Sequence, residues 1–168
     1  MANEQWDMIE FARGAVAVVA RDNRVCRVFF ECSPDDAAVA VAKSHPTAIQ
    51  TSSPSIEQAL EQLAEYFHGR RRLFDIPLET GQLTDFARKV HQALSEVPYG
   101  AVLTYGELAA RVGSPRAARA VGRVMSSNPF PLIVPCHRVV NADGSLGQYS
   151  AAHGPDSKAW LIDFENSH

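Results

Sequence analysis

Two short runs rich in β-branched or aromatic residues lie near the start of the chain, separated by only four residues. Residues 15–20 read AVAVVA and residues 25–30 read VCRVFF, compositions that are typical of β-strands. The four residues between them, 21–24, include Asp22 and Asn23, and these residue types tolerate turn conformations. The pattern therefore predicts a β-hairpin.

A later change to helical periodicity divides the chain into two parts. Apolar residues at helical spacing predict a helix over residues 55–68, ended by Gly69, and residues 70–82 are expected to form a short strand and a connection. From Thr84, the expected cap of the next helix, the spacing is helical again. We therefore expect an α+β protein with an α/β domain over residues 1–82 and a mainly helical domain over residues 83–168.

Two short helices of the second domain follow each other in the order of a helix-turn-helix. Thr104 is the expected cap of the first helix. After Gly113, Ser114 is the expected cap of the second helix, with Pro115 at its first position and the helix over residues 116–125. A pair of helices joined by a short turn that contains glycine predicts a helix-turn-helix.

The charged residues exclude some classes of function and leave others open. Sixteen Lys and Arg against nineteen Asp and Glu give a net charge of −3, which excludes a uniformly basic coat for nucleic acid. No acidic residue lies between Glu107 and Asp143, which predicts either a local polyanion-binding face or a solvated helix face with its countercharges elsewhere. Five arginines occur in that interval: Arg111, Arg116, Arg119, Arg123 and Arg138.

The apolar residues and the cysteines bear on where the protein is found. No apolar run approaches the roughly 18 residues that a membrane span needs. The first seven residues are acidic and lack the basic start and apolar stretch of a secretory signal. Three cysteines, an odd number, argue against a disulfide framework. We therefore expect a cytoplasmic protein, nucleoid-associated in a bacterium or nuclear in a eukaryote.

The second helix of the helix-turn-helix combines arginines with small residues. Small side chains let the backbone approach another surface closely, and arginines bind phosphates bidentately. The same composition fits a helix packed tightly against a neighbour, but the regular interleaving with arginine favours nucleic acid. The residues concerned are Arg116, Ala117, Ala118, Arg119, Ala120, Gly122 and Arg123.

Cys136 lies beside two residues that can change the reactivity of its thiol. His137 and Arg138 follow it directly, and nearby positive charge or a base lowers the pKa of a thiol toward the reactive thiolate. Cys136 is therefore the candidate nucleophile and His137 the candidate base, against the alternative of a buried, inert cysteine. Cys26 and Cys32 are expected to be structural, because their spacing fits no metal-ligand pair.

The segment Pro135-Cys136-His137-Arg138-Val139 resembles the active-site motif of the O6-alkylguanine-DNA alkyltransferases. The helix-turn-helix ahead of it, with residues 104–109 and 116–122, matches that family in order and spacing. The resemblance covers most of the chain and is strongest over residues 84–166. It implies a small RNase H-like N-terminal domain and a C-terminal domain that binds DNA and accepts the alkyl group.

The resemblance also implies a reaction and roles for individual residues. One alkyl group, chiefly methyl, would move from the O6 of a flipped-out guanine to Cys136, once per protein, without a cofactor. His137 would act as base through a water, Glu165 would orient His137, and Asn128 would brace the turn that carries the cysteine. Tyr105 would rotate the phosphate and donate a proton toward the departing guanine.

Further implied residues would contact the DNA and the flipped base. The helix over residues 116–125 would enter the minor groove of double-stranded DNA carrying alkylated guanine, with Arg119 filling the gap left by the flipped nucleotide. The protein would act as a monomer. The residues implied to line the base pocket are Met125, Pro131, Val139, Tyr149 and Ser150.

The chain departs from the family pattern after Ser150. Ala151-Ala152 stand where the family commonly has two glycines, and about two extra residues lie around residues 153–156. We expect the added methyl groups to narrow the pocket, so that methyl is accepted better than benzyl, and the extra residues make the register of Glu165 less secure. No Cys/His set matches the zinc site of some relatives, so no metal is expected.

Two other functions fit parts of the same sequence. One is a non-catalytic helix-turn-helix protein that senses alkylated DNA, although relatives of that kind replace the cysteine that is present here. The other is a cysteine hydrolase that uses Cys136 and His137 on a small substrate and turns over repeatedly. In that case the arginine-bearing helix would have no role.

Overall fold

The computed structural model describes residues 3–168, which form two compact units divided between Thr80 and Gly81. The first unit contains a sheet and two helices, and the second is mainly helical, so the α+β prediction is confirmed. No described helix is long and apolar enough to cross a membrane.

The first unit is built on the predicted hairpin. Its elements are strands β1 (Gln5–Phe11), β2 (Gly14–Arg21), β3 (Arg24–Glu31) and β4 (Ile49–Gln50) with helices α1 (Pro34–Ser44) and α2 (Pro54–Phe67). The sheet order is β3-β2-β1-β4, with β1, β2 and β3 antiparallel and β4 parallel to β1. Asp22 and Asn23 take φ values of 50° and 56°, the left-handed conformation that a two-residue hairpin turn requires.

Both faces of β2 are covered, which explains its unbroken apolar sequence. Ala15, Ala17 and Val19 join a core cluster with α1 on one face. On the other face Phe67 of α2 stacks on Phe11 with ring centroids 3.9 Å apart and lies 6.3 Å from Phe30. A strand buried on both faces does not alternate apolar and polar residues, so 15–20 reads as continuous apolar sequence.

The sequence predictions for the rest of this unit were incomplete. β1, α1 and β4 were not predicted, and the strand expected within residues 70–82 is reduced to a single parallel bridge between Val25 and Leu78. Cys26 is buried, its thiol donates to the Val19 carbonyl at 3.4 Å, and burial raises its pKa to about 11. That environment suits a structural cysteine.

The second unit holds the helix-turn-helix and the segment that contains Cys136. Its elements are helices α3 (Asp85–Ser95), α4 (Tyr105–Arg111), α5 (Ala118–Ser126) and α6 (Pro155–Ser167), strands β5 (Leu103–Thr104) and β6 (Val139–Val140), and a 3-10 turn (Cys136–Arg138). β5 and β6 pair in parallel. This short ladder joins the start of α4 to the end of the cysteine turn, and so brings Tyr105 to the same region as Cys136.

The caps of α3 and α4 are as predicted, but that of α5 is not. Thr84 and Thr104 each accept a backbone N–H three residues on, and Glu107 completes a capping box with Thr104. α5 begins at Ala118 instead of 116, because residues 114–117 form a separate turn closed by the Ala117 N–H on the Ser114 carbonyl at 2.8 Å. Pro115 therefore occupies the second position of a β-turn, which proline also favours.

Candidate active site and nucleic-acid interface

Asn128 braces the segment before the cysteine turn. Asn128 donates from Nδ2 to the Val134 carbonyl at 2.9 Å, and its Oδ1 accepts the Phe130 N–H at 2.9 Å. Leu132, between these partners, has a φ of 73°, which is strained for a side chain of that size. Asn128 therefore closes a tight loop that presents Cys136 at its end.

Behind the cysteine, Glu165 accepts hydrogen bonds from three residues. His137 Nε2 lies 2.7 Å from Oε1, Arg138 contacts both carboxylate oxygens at 2.9 Å, and the Gly100 N–H donates to Oε2 at 3.2 Å. Arg138 also donates to the Val97 carbonyl at 2.8 Å. The side chains of His137 and Glu165 are no more than 1% exposed. This network binds α6 to the cysteine turn and fixes the His137 ring.

The charges of this network determine which nitrogen of His137 is basic. Burial alone would raise the pKa of Glu165, but hydrogen bonds from His137 and Arg138 outweigh it and hold the pKa well below its ordinary value. Burial lowers the pKa of His137 despite the opposing effect of Glu165. A neutral imidazole that donates from Nε2 to a carboxylate leaves Nδ1 as an acceptor. Nδ1 is buried and has no hydrogen-bond partner among residues 3–168.

The thiol of Cys136 lies in an environment that the sequence predicted incorrectly. Burial raises its pKa, and the opposing contributions come from a hydrogen bond with Asn128, the charge of Lys158 and nearby backbone N–H groups. Arg138, expected to activate the thiol, is itself buried and engaged by Glu165 and Val97. Arg138 therefore does not belong to the basic face that the sequence predicts. The other four arginines of that interval are exposed: Arg111, Arg116, Arg119 and Arg123.

Cys136 lines a cavity of about 870 Å³ within the second unit. Eight residues expected from the sequence at the site or on the DNA-binding helix line it: Tyr105, Arg119, Gly122, Arg123, Met125, Cys136, Tyr149 and Ser150. Five others were not expected there: Ser126, Asn141, Gly147, Gln148 and Pro155. Pro131 and Val139, expected on the pocket wall, are buried and do not line it. The reason is that both lie in the apolar segment around the cysteine turn that packs inward.

α5 forms one side of this cavity with its arginines outward. Val121 and Met125 are buried, whereas Arg116, in the preceding turn, and Arg119 and Arg123 are exposed. A Cβ added at Gly122 would meet nothing within 4 Å, so packing inside the protein does not require glycine there. Ala117, Ala118 and Ala120 are partly exposed. The result is a positively charged helix face that borders the cavity containing Cys136.

Tyr105 is held in the cavity by close neighbours. Burial, and then the charge of Cys136, raise its pKa. Its Oη lies 3.4 Å from the position that a Cβ would take at Gly147, and Asn141 Nδ2 lies 3.3 Å from the same position. Gly147 also has a φ of +74°, which favours glycine. Glycine at position 147 therefore lets the Tyr105 hydroxyl and the Asn141 amide both approach the backbone there.

Comparison with known proteins gives this site a family. Residues 5–80 match the ribonuclease-like domain of 6-O-methylguanine DNA methyltransferase, and residues 85–167 match the DNA binding domain of that family. The constitutive methylated-DNA–protein-cysteine methyltransferase of Bacillus subtilis is 36% identical over 152 residues, which are 90% of this chain and 89% of that protein. The chain belongs to the 6-O-methylguanine DNA methyltransferase family.

Solved structures agree with this family membership. The crystal structure of Mycobacterium tuberculosis O6-methylguanine methyltransferase is similar to this chain with a TM-score of 0.79 and 32% identity, covering 99% of this chain and 94% of that one. The crystal structure of M. tuberculosis OGT in complex with DNA gives a TM-score of 0.80 at 31% identity, covering 97% and 93%. This family member is therefore a DNA repair methyltransferase, and its partner is DNA.

Besides the five unexpected residues that line the cavity, sequence reasoning does not predict a role for Lys158. It lies on α6, is 1% exposed, and its charge acts on the pKa values of both Cys136 and His137. Helical spacing could have found it, since Lys158, Leu161 and Glu165 fall on one face of α6 and all three are buried.

The departure after Ser150 has a different effect from the one expected. Ala151 and Ala152 do not line the cavity, so their methyl groups do not narrow it as predicted, whereas Pro155 of the longer segment does line it. Ala152 instead has a φ of +47°, a left-handed conformation that costs an alanine more than a glycine. Within residues 3–168, no group of three or more His, Cys, Asp or Glu could hold a metal ion.

Proposed function

We propose that the chain repairs double-stranded DNA by transferring one alkyl group, chiefly methyl, from the O6 of a guanine to Cys136. The observation that carries this proposal is the cavity itself, which has the candidate nucleophile in its wall and two arginines of a helix-turn-helix along its side. A pocket of about 870 Å³ has room for a base, but only for one that has left the duplex. Extruding a base from its stack costs a few kcal/mol.

The transfer is a displacement at the alkyl carbon. The thiolate of Cys136 attacks this carbon, an S–C bond forms, and the C–O bond to guanine breaks with its electron pair going to the base. Tyr105, which lines the same cavity, donates a proton toward the departing guanine. His137 takes the thiol proton at Nδ1 through a water, and Glu165 stabilises the resulting imidazolium. Because the thioether is not hydrolysed, each protein acts once.

α5 is the element that we propose to enter the minor groove. Its partly exposed small residues allow close approach, Arg119 fills the place of the extruded nucleotide, and Arg116 and Arg123 bind phosphates. Contacts that are mainly to phosphate suit a protein that must inspect every sequence. Binding should weaken steeply as salt rises, because cations displaced from the phosphates return.

The test combines transfer and binding with an oligonucleotide duplex that carries O6-methylguanine. We expect the wild-type protein to carry one methyl group on the peptide that contains Cys136, and Cys136→Ala to lose transfer while it keeps DNA binding. Arg119→Ala should weaken binding and slow transfer, whereas Arg24→Ala, which changes an exposed arginine of β3 in the first unit, is the matched control and should alter neither. Repeated turnover on a small substrate without DNA would indicate a hydrolase instead, and binding without transfer would indicate a sensor.

A further inference from the structure

The ends of the two paired strands of the second unit bring Tyr105 and Asn141 together. β5 and β6 run in parallel, in a register that ends with Thr104 opposite Val140. The next residues along the two strands, Tyr105 and Asn141, therefore leave the ladder side by side. Both side chains line the cavity, and a Cβ placed on Gly147 would lie 3.4 Å from Tyr105 Oη and 3.3 Å from Asn141 Nδ2. The acid that we propose for the reaction therefore has an amide as its neighbour.

The turn that follows Asn141 holds its amide in one orientation. Asp143 is ionised at neutral pH, since hydrogen bonds from Ser145 lower its pKa, and an ionised carboxylate only accepts hydrogen bonds. Ser145 Oγ therefore donates its one proton to Asp143 Oδ1, at 2.6 Å, and accepts from Asn141 Nδ2, at 3.0 Å. This bond uses one N–H of Asn141. The second N–H and Oδ1 have no hydrogen-bond partner among residues 3–168.

Asn141 lies where the wall of the cavity meets the surface of the unit. It is half-buried, and residues 142–145, which follow it, are exposed. Arg119 and Arg123 of α5 line the same cavity. A base that fills the cavity leaves its phosphates outside, because they remain part of the DNA strand. Phosphate oxygens accept hydrogen bonds, and the amide N–H groups of asparagine side chains commonly bind them.

Two other exposed polar residues line the cavity outside α5. They are Gln148 and Ser150. No hydrogen bond holds either side chain in the part of the chain that the structure describes, whereas Ser145 holds that of Asn141. Gln148 or Ser150 would therefore lose more conformational freedom on binding a phosphate, so the geometry favours Asn141.

We propose that Asn141 binds the extruded nucleotide, with its second Nδ2–H donating to an oxygen of a phosphate next to the methylated guanine. This inference rests on the proposed function, since it needs DNA whose damaged base enters the cavity. The hydrogen bond holds the backbone of that nucleotide beside Tyr105, whose proton goes to the departing guanine. Because Asn141 is neutral, its contact strengthens binding without adding to the salt dependence that the arginines cause.

The test measures the second-order rate constant of methyl transfer from duplexes that carry O6-methylguanine. One duplex has natural phosphates, and two others have an uncharged methylphosphonate on one side of the lesion or on the other. On the natural duplex we expect Asn141→Ala to be about tenfold slower than the wild-type protein, because the hydrogen bond has a charged acceptor. On one of the methylphosphonate duplexes this difference should fall to less than about twofold.

The matched control is Asn166→Ala, which changes an exposed asparagine of α6 outside the cavity and should leave all three rates unchanged. Two results would overturn the inference. One is no loss of rate in Asn141→Ala on the natural duplex. The other is a loss of the same size on all three duplexes, which a contact with the base or a purely structural role would give.

A second variant, Asn141→Asp, keeps the size of the side chain and covers the case in which Asn141→Ala does not fold. It replaces the donating N–H with a carboxylate, which repels a phosphate. We expect a larger loss of rate than with alanine on the natural duplex and a recovery on the same methylphosphonate duplex. Equal losses on all duplexes would contradict the contact. A wild-type protein that transfers no methyl group would refute the proposed function as well, whereas transfer without this dependence refutes the inference alone.

Discussion

The two units of this protein bury different kinds of side chain. Among residues 3–168, nine buried residues are polar or charged. Two of them, Ser55 and Gln62, lie in the first unit, and the other seven lie in the second: His91, Asn128, His137, Arg138, Ser157, Lys158 and Glu165. The core of the first unit is a sheet covered by helices on both faces. The core of the second unit also contains the buried ionisable groups of the site. We therefore expect the first unit to contribute stability alone and the second unit to contribute the reaction as well.

Buried polar groups cost free energy unless they are hydrogen-bonded, so their concentration in one unit needs an explanation. In the second unit they hold the cysteine turn and fix the ring of His137. An apolar core would be as stable but would do none of this. The second unit is therefore expected to be more sensitive to pH and to loss of single polar partners.

Glu165→Gln should give the largest loss of stability. It removes the charge that pairs with Arg138 and leaves a buried cation without its partner, which costs roughly 3–5 kcal/mol in the free energy of unfolding. Asp163→Asn, an exposed acid on the same helix, is the matched control and should change the free energy of unfolding little. Urea denaturation followed by circular dichroism measures both variants. Equal small effects would mean that the network does not stabilise the second unit.

Leu63→Ala removes a buried side chain from the apolar core of the first unit, and its effect on the free energy of unfolding can be compared with that of Glu165→Gln. Leu63 is fully buried in α2, and the cavity left by the truncation should cost about 2–5 kcal/mol in the free energy of unfolding. The single-turnover rate of the folded protein on methylated DNA should be unchanged, because no cavity-lining residue belongs to the first unit. A large fall in that rate at a temperature where the variant is folded would show that the core of the first unit also contributes to the reaction.

His91 should make the second unit less stable in acid. Burial lowers its pKa to about 4, and neither ring nitrogen has a hydrogen-bond partner among the described residues. Between the ordinary value of about 6.5 and pH 4, the unfolded chain binds a proton that the native protein does not bind. Stability should therefore fall as the pH falls through this range, by up to about 3 kcal/mol.

The variant that checks this effect is His91→Leu, which removes the proton-binding group. Its free energy of unfolding should depend less on pH between 7 and about 4 than that of the wild-type protein. His153→Leu changes an exposed histidine and should leave the wild-type slope. If His91→Leu keeps that slope as well, other groups cause the acid sensitivity.

Local features of the fold and the site can be predicted from the sequence, whereas features that depend on tertiary packing cannot. The hairpin, the caps at Thr84 and Thr104 and the candidate nucleophile depend on neighbouring residues, so short segments reveal them. Sequence reasoning does not predict α1, although Ser33 caps this helix and Pro34 is its first residue. Sequence alone does not distinguish the two positions available to Pro115, because proline favours both the first position of a helix and the second position of a turn.

The electrostatics of the site could not be predicted in this way. Arg138 follows Cys136 by two residues, yet its guanidinium pairs with a carboxylate 27 residues later. Lys158 is 22 positions from Cys136 along the chain and acts on it through the packing of α6. Adjacency in sequence therefore does not reveal that Arg138 pairs with Glu165, and only the packing of α6 against the cysteine turn shows it.

Ala152→Gly should have the smallest effect. Glycine adopts a φ of +47° without the steric cost of alanine, so the substitution should stabilise the protein by about 0.5–1 kcal/mol. The relative rates with O6-methylguanine and O6-benzylguanine should not change, because residue 152 does not line the cavity. Thermal unfolding and single-turnover rates check the two parts. A selective gain with the benzyl adduct would show that residue 152 does limit the pocket.

The most direct test of alkyl transfer to Cys136 is the intact mass of the full chain after incubation with excess O6-methylguanine duplex. We expect the mass to increase by that of one methyl group and then to stay constant, with the added group on the Cys136 peptide. Further guanine release without a further change in mass, or a methyl group on Cys26 or Cys32, would contradict the account.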